Sequence, residues 1–229
     1  MNHTPKIYKM RVVFTVPDGW DHKRIFAGLR NMVLRSGLPF EPAKVNKNWP
    51  RLAYGPVLGY GQYSLGEYAD LYFSSSVKEE AALSALTQAA GNGMQILHIK
   101  RVPYALPSVS QLAEVMQYGV EGDVLRYSPS QPIDAFFGGK HIYLTVQAPN
   151  GLTVQQDIKP YIVSVKQVRT DKLELLLQRY QDKTTKPEYV LAAWLGMAVP
   201  AEAEFTLDHL KFTREELYWR DSEGALHII

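Results

Sequence analysis

Apolar and polar residues alternate over residues 6–16, with Tyr8, Met10, Val12, Phe14 and Val16 on one face and Lys9, Arg11 and Thr15 on the other. A two-residue period predicts a strand with one buried and one solvated face. Pro17-Asp18-Gly19 ends it. Asp21 is placed to cap a helix in which Ile25, Phe26, Leu29, Met32 and Val33 recur at helical spacing. Gly37 is its stop, and Pro39 forbids continuation. Alternation returns over residues 67–74, with Tyr68, Asp70 and Tyr72 facing one way and Ala69, Leu71 and Phe73 the other; residues 51–54 begin the strand that pairs with it. A second helix is predicted over residues 77–90, with Leu83 and Leu86 on its buried side and Gly91-Asn92-Gly93 as its stop. Residues 94–102 form the next strand. Strand, helix, strand, strand, helix, strand is the order of a ferredoxin-like βαββαβ domain, an antiparallel sheet with both helices on one face.

Two prolines in Pro103-Tyr104-Ala105-Leu106-Pro107-Ser108 favour an extended connector, which divides the chain into domains over residues 1–107 and 108–229. The second domain reads as another mixed α+β sheet domain. Strands are predicted over residues 113–120 and 140–147, with Pro149-Asn150-Gly151 as a turn, and a hairpin joins residues 163–168 to 173–180 around Thr170-Asp171. Pro187 suits the first turn of a helix whose buried stripe is Val190, Leu191, Trp194 and Leu195 and whose end is Gly196. Residues 205–219 supply a final, interrupted strand.

Composition changes this picture in two ways. At 46% hydrophobic and 21% charged, the 229 residues are ordinary globular usage, and a formal net charge of +2 does not by itself imply nucleic acid. The absence of cysteine excludes disulfides, cysteine nucleophiles, thiolate zinc sites and thiolate-held iron–sulfur clusters on this chain. It also fits a reducing compartment. The apolar run near the N-terminus is too short for a transmembrane helix and lacks a signal-peptide cleavage region, so a cytoplasmic, membrane-free protein is expected.

Residues 36–70 form the most unusual stretch. They hold Ser36-Gly37-Leu38-Pro39, a basic cluster, four glycines at 55, 59, 61 and 66 and several tyrosines. Together with segments further on, they resemble the radical-SAM-linked protein family, a bacterial group encoded beside, or fused to, cobalamin-binding radical S-adenosylmethionine (SAM) enzymes. Asp21-His22-Lys23-Arg24 and Ser36-Gly37-Leu38-Pro39 occupy the places of that family's Ser-His-Leu-Asp and Ala-Gly-Leu-Pro motifs; His22 matches, while Arg24 replaces the acidic position. Lys47-Asn48-Trp49-Pro50-Arg51-Leu52 resembles its Asn-Pro-Arg-Pro-Lys-Leu loop, Pro56-Val57-Leu58-Gly59 its Pro-Leu-Gly turn and Gly66-Glu67-Tyr68-Ala69-Asp70-Leu71 its Gly-Glu-Tyr-Leu-Asp strand. Arg101-Val102-Pro103, Asp157-Ile158-Lys159-Pro160, Lys186-Pro187-Glu188-Tyr189 and Thr213-Arg214-Glu215-Glu216-Leu217 also match, in order. The resemblance implies a radical SAM enzyme as partner and a link to RNA metabolism.

A radical SAM enzyme needs three cysteines for its cluster. This chain has none, so it reads as a non-catalytic accessory or substrate-recognition protein, with no cofactor of its own, serving a separate radical SAM enzyme in RNA modification or processing. Lys44, Lys47 and Arg51 with Trp49 and Tyr54 supply cations for phosphates and ring faces for unstacked bases, a composition that suits single-stranded RNA. The plainer account is a solvated loop whose Trp49 packs over the sheet. His22, in the first turn of the first helix, is the catalytic candidate; a neutral imidazole there suits a proton acceptor, and the plainer account is a surface or capping histidine. Two alternatives remain open: a metal-independent RNA-processing enzyme using His22, and a protein–protein adaptor. His3, His98, His141, His209 and His227 lack metal-ligand spacing, so no metal site is expected.

Overall fold

The computed structural model of the chain describes residues 7–91, 93–129 and 131–229. His3, Lys6 and the Asn92 of the expected helix stop lie outside the described residues. The chain is a mixed α+β protein that folds as two compact units. The first takes residues up to Gly59 and Ser64–Ala113, and the second takes Tyr60–Tyr63 and Glu114–Ile228. Residues 103–108 thus lie inside the first unit.

The first unit contains β1 (Tyr8–Thr15), α1 (His22–Arg35), β2 (Leu52–Tyr54), β4 (Glu67–Phe73), α2 (Glu79–Ala89), β5 (Gln95–Val102) and the short α3 (Val109–Leu112); β3 (Tyr63–Ser64) lies between β2 and β4 in sequence. Its sheet has the order β2-β4-β1-β5, and every neighbouring pair is antiparallel. Met10, Val12 and Phe14 sit opposite Leu71, Ala69 and Glu67 across the β1–β4 pair. Their face packs against Ile25, Leu29, Met32 and Val33 of α1 and Ala82 and Leu86 of α2 in one buried cluster. The Asp21 carboxylate accepts from the Arg24 N–H at 2.8 Å and so caps α1. Gly37 ends the helix at φ +67°, a conformation that costs glycine nothing.

The second face of β1 departs from the sequence expectation of a solvated side. Lys9 is 1% exposed and Arg11 6%, and Asp70 is fully buried. The reason is the segment after β5, which folds over this face. Arg11 grips Asp70 through Nε at 2.8 Å and Nη2 at 3.1 Å, the Val109 N–H donates to Asp70 Oδ2 at 2.8 Å, and Lys9 Nζ donates to the Leu106 carbonyl. A buried charge is tolerable when paired and hydrogen-bonded in this way, whereas a period-of-two pattern cannot reveal what covers the polar side.

The second unit contains β6 (Val115–Glu121), α4 (Ile133–Phe137), β7 (Tyr143–Gln147), β8 (Thr153–Asp157), β9 (Ile162–Arg169), β10 (Lys172–Gln178), α5 (Pro187–Trp194), β11 (Ala198–Pro200), β12 (Lys211–Arg220) and β13 (Leu226–Ile228). One sheet runs β13-β12-β6-β10-β9, with β3 pairing β12 off that path; the other runs β11-β7-β8. The β9–β10 hairpin turns at Thr170-Asp171, as its sequence suggests. The final strand begins at Lys211 rather than at residue 205, and β8, β11, β13 and α4 carried too little periodicity to be predicted. No helix among the described residues is long and apolar enough to cross a membrane.

Candidate functional site

Helix α1 carries the candidate site. Its sequence, His-Lys-Arg-Ile-Phe-Ala-Gly-Leu-Arg-Asn-Met-Val-Leu-Arg, holds four Lys/Arg and no Asp/Glu. The Ile25, Leu29, Met32 and Val33 stripe is buried, which leaves His22, Phe26 and Arg30, each four residues from the next, together on another face. The four-residue period makes them stack up the helix over roughly 12 Å. His22, Lys23, Phe26, Ala27 and Arg30 line a shallow recess of about 310 Å³.

The loop before β2 completes this surface. It is drawn tight by the Ala43 N–H donating to the Trp49 carbonyl at 2.7 Å and the Trp49 N–H donating to the Asn46 carbonyl at 3.1 Å. Trp49 remains 40% exposed, and the Arg30 guanidinium lies 4.3 Å from its ring centroid. Lys44 and Lys47 are exposed on the same loop. Among the described residues, none of Lys23, Arg24, Arg30, Lys44 and Lys47 forms an ion pair with a carboxylate. The result is a strip of planar groups, His22, Phe26, Arg30 and Trp49, with Lys23 beside it on the helix and Lys44 and Lys47 on the loop that carries Trp49.

His22 has a defined backing. Its ring stacks on Tyr54 at 5.2 Å and 23°, with Phe26 at 6.3 Å beside it. Tyr54 is buried, and its hydroxyl donates to the buried Glu67 carboxylate at 2.6 Å. His22 Nδ1 is sealed from solvent with no hydrogen-bond partner. Nδ1 is thus the ring nitrogen on the protein side, and the ring as a whole lines the recess. An orphaned buried N–H is rarer and costlier than an orphaned acceptor.

The structure brings some of the sequence-predicted residues together and separates others. His22 and Trp49 belong to the α1 side, and Lys44 and Lys47 are exposed on the loop that carries Trp49. Tyr54 lies behind His22, not as an open stacking face. Arg51 belongs to the opposite sheet face, where its guanidinium sits 4.3 Å from the Tyr72 ring centroid and donates to the Tyr104 hydroxyl at 3.1 Å. There it stands near Lys9, whose ammonium is pushed below its ordinary range by burial, against the pull of Asp70. Lys23, Phe26 and Arg30 went unread as site residues. Their signal was available: a fourteen-residue helix with four cations and no acid, and a planar residue every four positions.

In the second unit His141 and His227 each pair with a carboxylate. His141 Nδ1 meets Asp157 Oδ2 at 2.7 Å and His227 Nε2 meets Asp221 Oδ2 at 2.7 Å, with the rings stacked on Tyr143 and Trp219. Each Asp also accepts backbone N–H bonds, Asp157 from Ile142 and Lys159 and Asp221 from Glu223 and Ala225, so both pairs fasten local turns. Among the described residues, no group of three or more His, Asp or Glu is placed to hold a metal ion.

None of the curated proteins compared with the chain matches it. A family model matches residues 22–187, a span that starts at His22 and includes Trp49 and the whole of α1. That span is well over half of the 229 residues, and the chain belongs to the bacterial family described as "Uncharacterized protein conserved in bacteria (DUF2344)".

Proposed function

We propose that this protein is a cytoplasmic, non-catalytic accessory that recognises substrate for a separate radical SAM enzyme, with RNA as the substrate class and the α1–Trp49 strip as the contact surface. The observation that carries the recognition role is the strip itself, planar side chains accompanied by Lys23 on the helix and by Lys44 and Lys47 on the Trp49 loop, none of which forms an ion pair among the described residues. Phosphates supply the missing counter-charge, and unstacked bases supply faces for the rings. The partner is supported by the motif resemblance and by the lack of any cysteine with which this chain could hold a cluster. Within this reading the first unit is a ferredoxin-like domain, supported by the strand order β2-β4-β1-β5 and by both helices sharing one core.

An RNA-cleaving role for His22 would need Nε2 to accept a proton, and so would place the ring's own proton on the sealed Nδ1. A ring with its proton on Nε2 leaves the sealed Nδ1 as an acceptor and offers a donor outward, which suits recognition. Long-range proton–nitrogen NMR correlations of the His22 ring decide this directly. We expect the Nε2–H pattern, and an Nδ1–H pattern would remove the reason for preferring recognition. The partner is tested by anaerobic co-purification with a cofactor-loaded, cobalamin-binding radical SAM enzyme from the same cells. A stoichiometric complex is expected; failure to associate would sink the accessory role.

A further inference from the structure

The α1–Trp49 surface has a shape as well as a charge, and the shape discriminates among forms of RNA. We infer that it takes unpaired RNA, with bases stacked against the planar strip and phosphates on Lys23, Arg30, Lys44 and Lys47. This rests on the reading that RNA is the substrate class.

Four features converge. First, Trp49 keeps 40% of its surface open although Arg30 already covers part of it, so an indole–guanidinium stack stands ready to be extended by another ring. Second, the next planar groups along the helix are Phe26, itself 36% exposed, and His22, at the other end of a recess of about 310 Å³. Ring faces are of use only to bases whose own faces are free. In an A-form duplex the faces are stacked on one another, and the major groove is too narrow for side chains to read. Third, His22 lines the recess with Nδ1 turned to the interior, which leaves Nε2 as the ring nitrogen through which it can bond a phosphate or base oxygen. Fourth, the positive charge is local. Residues 1–113 hold thirteen Lys/Arg against seven Asp/Glu, although the whole chain is only +2. An acidic peptide would satisfy these cations but would leave the open indole face without a partner.

The test uses the purified full-length chain alone, so its outcome is separate from that of the co-purification. Binding of a short unstructured RNA carrying 2-aminopurine is followed by anisotropy and base fluorescence, beside a hairpin-free duplex of the same sequence. The single strand should bind at least tenfold more tightly than the duplex, with quenching of the base. Trp49→Leu should weaken binding roughly 5- to 150-fold, the range of one lost stacking contact, and abolish the quench, while Trp49→Phe keeps most of both. Lys23→Gln with Lys47→Gln should flatten the salt dependence, by about 0.7 in logarithmic slope for each lost phosphate contact. Thermal melts establish that each variant is folded. A folded Trp49→Leu protein that binds as wild type, or a duplex that binds as tightly as the single strand, would overturn the inference. So would complete competition by polyglutamate at matched charge.

Discussion

Asp70 and Glu188 are buried carboxylates with opposite electrostatic situations, and each leads to a different expectation. Asp70 is fully buried but accepts from both Arg11 nitrogens and from the Val109 N–H. Removing it strands the Arg11 guanidinium beside Lys9 in a site with no other carboxylate among these contacts. Breaking one partner of such a pair costs about 3–5 kcal/mol, because the survivor's charge stays buried. Asp70→Ala should therefore lose about that much in urea unfolding, and a loss under 1 kcal/mol would mean the pair relaxes into water. Glu188 is 5% exposed, and its two oxygens share one donor, Gln62 Nε2, at 3.0 Å each. Burial pushes its carboxyl up, with the Gln62 bond and Lys186 pulling the other way. A raised folded-state value means that the favourable contribution is complete below the unfolded carboxyl range, about pH 4.3, and is lost as pH rises through the folded value. Glu188→Gln is always neutral and can still accept from Gln62. Its stability relative to wild type should be higher at pH 8 than at pH 4; an equal difference at the two pH values would show that Glu188 does not titrate with folding.

At the scale of elements, α1 shows what a sequence discloses and what it withholds. The Asp21 cap, the apolar stripe and the Gly37 stop are local, and all three were legible. The other face of the helix was not, because Phe26 sits at a position that periodicity assigns to the core yet is 36% exposed. Trp49 and Arg30 are nineteen positions apart, and only the folded loop brings them into contact. The same reason hid the covering of β1: Lys9 and Arg11 read as solvated until a segment ninety-odd residues later folds over them. The strand–helix order of the first unit was legible because β1, α1, β4 and α2 are long enough to show a period, and three-residue β2 was placed by its pairing with β4. In the second unit β11 and β13 have three residues each, too few for any period to show. A tertiary constraint on α1 is hidden in the same way at Gly28, which reads as a helix-weakening residue. A Cβ there would meet Met94 Sδ at 2.7 Å and the Trp20 ring at 2.8 Å. Gly28→Ala thus gains helix propensity but must displace both side chains, and overpacking of this kind costs about 1–3 kcal/mol. The expected result is a lowered melting temperature; a rise would show that Trp20 and Met94 yield freely.

For the whole molecule, formal charge is a poor guide to behaviour because it is unevenly spread. The thirteen Lys/Arg and seven Asp/Glu of residues 1–113 make that part positive, and the remainder must be negative for the chain to total +2. Charges beyond about 10 Å are screened at ordinary ionic strength, so a polyanion responds to the local field of the α1 surface and not to the total. Two double charge reversals separate these effects. Lys23→Glu with Lys47→Glu and Lys166→Glu with Lys183→Glu change the formal charge equally, and all four lysines are exposed. If net charge governs, both variants should lose retention on a sulfonated cation-exchange column and RNA affinity to the same degree. If the strip governs, the first variant should elute at markedly lower salt and lose at least tenfold in RNA affinity, while the second stays within about twofold of wild type. Equal losses would return the basic surface to a general property of the chain and remove the special status of α1.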